Sequence, residues 1–306
     1  MKGRKIILCV TVILLLIIPL ASAGFLDWVK KTITGKASSQ ETNVSVTVAG
    51  GNKAVIETVS VAASYTPVEN ENHSITAYVT VYDADGVNDV NDSATQIKFT
   101  KSGETTRQNT SCINLTDIDA NRANFSCVVD LWYWDGNGVW NINATGNDLG
   151  NKTLAENSTE SFTYNLLYAM VISPNVLTWP SVTPGAVNQT SNNHPTLVNN
   201  TGNYNGTINM TGINLLGEDT PSEKIYAENF TAGIVNDCDL TGINMTYLVN
   251  NTEVVINNSV ANRGNLSLGS GSGQEQIYYC IPLVPNPLSS QTYSTNALGG
   301  WTLAYA

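Results

Sequence analysis

The sequence predicts an all-β protein, with two consecutive antiparallel β-sandwich domains following an export leader. Three observations carry this expectation. Charged residues make up only 13% of the chain, about half the usual share, and Asn, Thr, Ser and Gly fill the gap. That composition suits strands and turns better than surface helices, which carry Glu and Lys. From Thr42 onward, apolar and β-branched residues recur with period two in short runs separated by turn residues. Six Trp and 13 Tyr supply material for cores that a disordered chain would lack.

The first 41 residues address the protein rather than build it. Met1–Lys5 is basic, Ile6–Leu20 is apolar and Ala21-Ser22-Ala23 offers a small-residue cleavage site. Residues 1–23 therefore read as a signal peptide, with the mature chain beginning at Gly24. An uncleaved anchor is the alternative, since Ile6–Ala23 is just long enough to span a bilayer; Pro19 and the A-S-A tripeptide favour cleavage. Residues 24–41 read as a linker. Phe25, Val29 and Ile33 recur there at helical spacing and allow a short interfacial helix, although a mobile terminus is the plainer expectation. Without Lys2, Arg4 and Lys5, 11 cations face 25 acids, a net charge of −14 in place of −11. Nucleic acid and anionic membrane surfaces, which need clustered cations, are thereby excluded as partners.

The first sandwich is expected over residues 42–168. Its predicted strands are Val44–Val48, Ala54–Val61, Ile75–Tyr82, Ile97–Thr100, Phe125–Trp134, Val139–Thr145 and Ser161–Met170. The stretch Cys112–Asp148 organises it. Two cysteines flank a polar turn, and the D-G-N-G turn Asp135–Gly138 is expected to join Phe125–Trp134 and Val139–Thr145 as a hairpin. The four cysteines beyond the leader are Cys112, Cys127, Cys238 and Cys280. They allow three pairings, of which pairing within each half is the natural one. In an oxidising compartment they form disulfides, and the short C-x-x-C pairs of an all-cysteine zinc site are missing. A Cys112–Cys127 bridge would staple neighbouring strands or a hairpin loop.

V-T-V-Y-D-A-D-G-V (Val79–Val87) together with L-W-Y-W-D-G-N-G-V-W-N-I-N-A-T-G-N-D (Leu131–Asp148) resembles the immunoglobulin-like modules of prokaryotic, especially archaeal, secreted cell-surface proteins. The resemblance covers roughly residues 42–167. It implies an Ig-like sandwich, and no particular activity, because such modules serve many roles.

A second sandwich is expected over residues 169–306. I-S-P-N-V-L-T-W-P-S-V-T-P-G (Ile172–Gly185) and L-V-N-N-T-G-N-Y-N-G-T-I-N-M-T-G (Leu197–Gly212) are similar to secreted β-modules with a V-x-F-G-x-V-x-P-G opening and an N-x-G-N strand exit. Trp179 and Pro180 stand where Phe and Gly are usual. T-G-I-N recurs at Thr211 and Thr241 as a trace of strand similarity. Further strands are predicted at Thr246–Val249, Glu253–Ile256, Gln276–Leu283 and Trp301–Tyr305.

Glycosylation sequons are the strongest statistical feature. Of 38 Asn, 18 begin N-x-S/T with x not Pro, where chance gives about seven. They include Asn43, Asn72, Asn114, Asn124, Asn143, Asn205, Asn209, Asn244 and Asn265. The excess predicts a surface carrying N-glycans; a generally Asn/Thr-rich β-protein is the bland alternative. After Asn265 sequons stop, yet Tyr278, Tyr279, Tyr293, Trp301 and Tyr305 follow. These aromatics either close the second core or form an assembly surface.

Candidate chemistry is sparse. His73 lies in a sequon and His194 precedes a proline, so a catalytic triad or zinc site is not expected. G-N-D-L-G-N-K-T (Gly146–Thr153) misses the phosphate-loop pattern at Asn151. G-S-G-S-G (Gly269–Gly273) places Gly at the nucleophile position and reads as a flexible turn. One constellation stands out: D-A-D-G-V-N-D-V-N-D (Asp83–Asp92). Asp83, Asp85, Asn88 and Asp89 are its candidate calcium ligands, with Asn91 and Asp92 adding oxygens close by; a solvated D-G turn is the alternative. No other cofactor is predicted, and no acid, base and nucleophile set suggests an enzyme.

The expectation is an exported, N-glycosylated structural or adhesion protein of the cell surface, within or attached to a surface layer. Its partners would be other surface proteins or further copies of itself, with membrane contact only through an uncleaved leader. One alternative is a filament subunit whose Asn43–Val48 strand adds to a neighbour's sheet. Another is a carbohydrate-binding module that uses Trp132 and Trp134.

Overall fold

The computed structural model describes residues 44–46, 51–150, 154–238, 245–268 and 272–305. The expected leader, linker and sequons at Asn43, Asn151 and Asn244 lie outside them, as do the second T-G-I-N and most of Gly269–Gly273. Val44–Val46 has no regular structure and is exposed, whereas a strand was expected there. Residues 49–306 form one compact unit with two separate apolar cores.

The first core lies between two sheets. Its strands are β1 (Val55–Ser60), β2 (Ser64–Tyr65), β3 (Asn72–Tyr82), β4 (Gln96–Thr100), β5 (Arg107–Asn109), β6 (Ile113–Asp119), β7 (Arg122–Trp132), β8 (Gly138–Gly146), β9 (Ala155–Asn157) and β10 (Ser161–Tyr164). One sheet has the order β1-β3-β7-β6; the other runs β2-β10-β8-β4-β5, with β9 on β8. The register explains the core. Ile75, Ala77, Val79 and Val81 of β3 lie opposite Val129, Cys127, Phe125 and Ala123 of β7, and all eight are buried. With a side-chain period of two, one face of each strand stays inside while Thr76, Thr80 and Asn124 point away. From the second sheet, Phe99 packs edge-on against Phe162 at 5.0 Å, beside the fully buried Trp140.

Several local expectations change. The segment between Cys112 and Cys127 is a hairpin: the expected polar turn narrows to residues 120–121, and the residues before it form β6, which pairs antiparallel with β7. β6 is an edge strand, and six of its seven residues are exposed, so it lacks the alternation that marks a half-buried strand. β7 and β8 belong to different sheets, so the D-G-N-G turn carries the chain across the sandwich instead of closing a hairpin. The predicted strand Ser161–Met170 divides into β10 and β11 (Met170–Ser173), which belong to different sheets. Not every pairing is antiparallel, because β2 runs parallel to β10.

The second core draws on β12 (Val187–Thr190), β13 (Thr196–Asn200), β14 (Ile208–Thr211), β15 (Leu215–Gly217), β16 (Lys224–Ile225), β17 (Thr231–Gly233), β18 (Met245–Tyr247), β19 (Glu253–Val255), β20 (Gln274–Leu283), β21 (Tyr293–Ser294) and β22 (Thr302–Tyr305). The largest sheet is β11-β13-β20-β17-β18 with β12 on β20; two three-stranded sheets, β19-β14-β22 and β16-β15-β21, complete it. Four of the five aromatics after the last sequon, Tyr279, Tyr293, Trp301 and Tyr305, pack in or against the second core, whereas Tyr278 lies outside it against His194. Tyr279 is fully buried. Trp301 packs edge-on against Phe230 at 5.0 Å and its indole N–H donates to Ile213 O. Tyr305 donates its hydroxyl to Ala169 O, and burial raises its pKa. These residues close the core.

Both disulfides pair within their own half. Cys112–Cys127 staples the start of β6 to β7, closing a loop worth about 3 kcal/mol of chain entropy. Cys238–Cys280 ties the segment after β17 to β20 across 42 residues.

Polar contacts join the two sets of sheets. Arg263 donates to both carboxylate oxygens of Glu104, at 2.6 and 3.1 Å, and to Trp134 O at 2.6 Å. The N-x-G-N strand exit, Asn200–Asn203, makes most of the rest. Thr201 donates its hydroxyl to Glu69. Asn203 accepts from Leu167 N and donates to Asn165 O. A Cβ on Gly202 would stand 2.2 Å from Leu167 O, so only glycine fits that close approach.

Candidate functional site

Where the chain leaves β3 it crosses to the second sheet through residues 83–95, and the acidic motif lies in that crossing. Asp83 follows the last β3 residue and is fully buried. Its backbone N–H donates to Asn121 O in the β6–β7 hairpin, and Asn121 Nδ2 donates back to Asp83 O. Gly86, at φ 107°, turns the chain into a single 3-10 turn, Val87–Asp89. That turn brings Asp89 back beside Asp83. Asp83, Asp85 and Asp89 each offer one carboxylate oxygen, all within 4.8 Å of one another.

The surroundings of the three differ. Asp85 is exposed and is held by Asn52, whose backbone N–H and Nδ2 donate to it at 2.6 and 2.9 Å. Asp83 Oδ1 accepts Asp85 N at 2.8 Å. Its Oδ2 is buried and meets no hydrogen-bond donor among the described residues. Burial raises the Asp83 pKa; the Asp85 N–H opposes this, and the charges of Asp89, Asp85 and Asp148 add to it. Asp148, 1% exposed, comes from the turn after β8. Leu149 N donates to Asp89 O at 2.7 Å and Asn91 N to Asn147 O at 3.0 Å, while Val90 and Asp148 form a β-bridge.

The sequence therefore singled out a segment whose carboxylates do converge. Asn88 is exposed on the 3-10 turn, and Asp92 accepts from Asn114 Nδ2 at 2.9 Å. Asp148, more than 50 residues downstream, carries no local sign of membership; the Val90–Asp148 bridge that recruits it is a tertiary contact.

The sequon asparagines share one property. Every described one, including Asn72, Asn114, Asn124, Asn143, Asn205, Asn209 and Asn265, is exposed or half-buried. The two buried asparagines among the described residues, Asn200 and Asn203, are not themselves sequon asparagines. Asn143 and Asn209 donate to Glu156 and Glu253 on neighbouring strands.

Trp132 and Trp134 stack at 4.8 Å with an interplanar angle of 10°. They line a shallow cleft with Asn70, Arg107, Tyr133 and Leu266. The histidines each meet a tyrosine edge-on, His73 at Tyr65 and His194 at Tyr278. No protein-family model matches the chain, and no curated protein matches it.

Proposed function

We propose that this chain is an exported, N-glycosylated structural or adhesion protein of the cell surface, built from two immunoglobulin-like β-sandwich modules and belonging to a surface layer. The observation that carries the reading is the placement of its sequons. Each described sequon asparagine is exposed or half-buried, and the buried Asn200 and Asn203 do not begin a sequon. Two disulfides fit an oxidising compartment, and short strands with bridged loops fit a passive scaffold.

Surface labelling tests it. A membrane-impermeant amine reagent applied to intact cells of the native host should label the protein as fully as it does after lysis. Labelling only after lysis contradicts the proposal.

The stacked pair Trp132 and Trp134 favours a second reading, a carbohydrate-binding surface. On that reading Trp132→Ala abolishes retention on the host's surface polysaccharide. Unchanged retention removes it.

A further inference from the structure

We propose that Asp83, Asp85, Asp89 and Asp148 form a calcium site that locks the crossing after β3 to the turn after β8. The site is independent of the surface-protein reading and stands on its own geometry. Three carboxylates from one seven-residue segment approach within 4.8 Å, and a fourth acid, Asp148, is held near them by its bridge to Val90, close enough for its charge to act on Asp83. An acidic cluster on a solvated loop would need no explanation. Here Asp83, one of the three converging acids, is wholly buried, and its Oδ2 has no donor among the described residues. Burying a carboxylate oxygen without a partner is costly, and three neighbouring acids increase the cost. A hard divalent cation turns that repulsion into attraction and supplies the missing partner.

The arrangement suits calcium better than magnesium. Calcium accepts six to eight oxygens in irregular geometry, including backbone carbonyls and water, whereas magnesium demands a near-ideal octahedron and retains its waters. These ligands come from two irregular segments, and one of them is tethered by Asn52. The cradle is set before any ion arrives. Leu149 N to Asp89 O, Asn91 N to Asn147 O and the Val90–Asp148 bridge hold the two segments together. Asn121 fixes the backbone of Asp83 from the neighbouring hairpin. Binding would therefore clamp three segments at one end of the first core.

Calorimetric titration of calcium chloride into the full exported chain, stripped with EDTA, tests the assignment. One saturable site is expected, with a Kd of about 10⁻⁴–10⁻³ M, the range of extracellular calcium modules, and a Tm that rises with calcium concentration. Asp83→Asn should weaken binding at least about tenfold, and Asp92→Asn, outside the carboxylate group, should leave it unchanged. If Asp83→Asn does not fold, Asp148→Asn gives the same reading. Absence of saturable binding by the unaltered chain up to about 10 mM calcium overturns the site. So does unchanged affinity in both variants. Magnesium binding as tight as calcium overturns the choice of ion.

Discussion

Asp135 is the residue on which the first half closes. It is 2% exposed and accepts Arg107 twice, at 2.6 and 3.0 Å, and also the backbone N–H of Trp132 at 2.7 Å. One carboxylate thus joins β5, the end of β7 and the turn that follows. Removing one partner of a buried pair leaves the other charge uncompensated, so Arg107→Ala should cost about 3–5 kcal/mol in denaturant unfolding. The same residue shows what a sequence reading reaches. D-G-N-G is legible as a tight turn because Gly138 takes φ 108°. That the turn crosses between sheets, with Asp135 paired to Arg107 28 residues away, is recorded by no local pattern. Asp83, Asp85 and Asp89 were legible as a dense run of oxygens. Asp148 was not, because tertiary pairing recruits it.

At the scale of elements, legibility follows burial. β3 and β7 alternate because one face of each is buried and the other is not, and β8 does so until Ala144–Gly146, where all three residues are buried. β6 stayed hidden because nearly all of it is exposed, with Ile113, Leu115 and Ile118 at 67%, 49% and 57%. A single acid ties the start of β16 to the segment that leads into β21. Glu223 Oε2 accepts from Ser289 N–H and hydroxyl, Gln291 Nε2 and Tyr293 hydroxyl, between 2.6 and 3.0 Å. The Ser289 hydroxyl, followed by the Tyr293 hydroxyl, holds its pKa down at about 2, against an ordinary value of 4.5. A depressed carboxylate stabilises the fold fully above its unfolded pKa and loses that contribution as pH falls through the folded one. Glu223→Gln should therefore lower Tm at pH 7, and the difference from the unaltered chain should shrink between about pH 4.5 and about pH 2. A pH-independent difference would mean that the carboxylate charge contributes nothing.

Across the whole molecule, two apolar cores are joined by polar groups. Arg263 reaches Glu104 and Trp134 O, and the Asn200–Asn203 exit grips the connector at residues 165–169. The exit motif was legible as a strand end; its grip on Leu167, through Gly202 and Asn203, was not. A junction of this kind couples two cores only while its charges stay paired. Arg263→Ala leaves Glu104, 10% exposed, without its cation. Calorimetry should then show two thermal transitions where the unaltered chain shows one. A single unshifted transition would show that Arg263 does not couple the cores.

The same surface that holds the cores apart from water displays the sequons on which the functional reading rests. Intact mass of the protein from its native host, before and after deglycosylation and with and without reduction, decides that reading. The expected result is a chain beginning at Gly24, carrying several glycans and gaining four hydrogens when its two disulfides are reduced. A bare, reduced chain that still carries residues 1–23 would contradict export, cross-linking and glycosylation together.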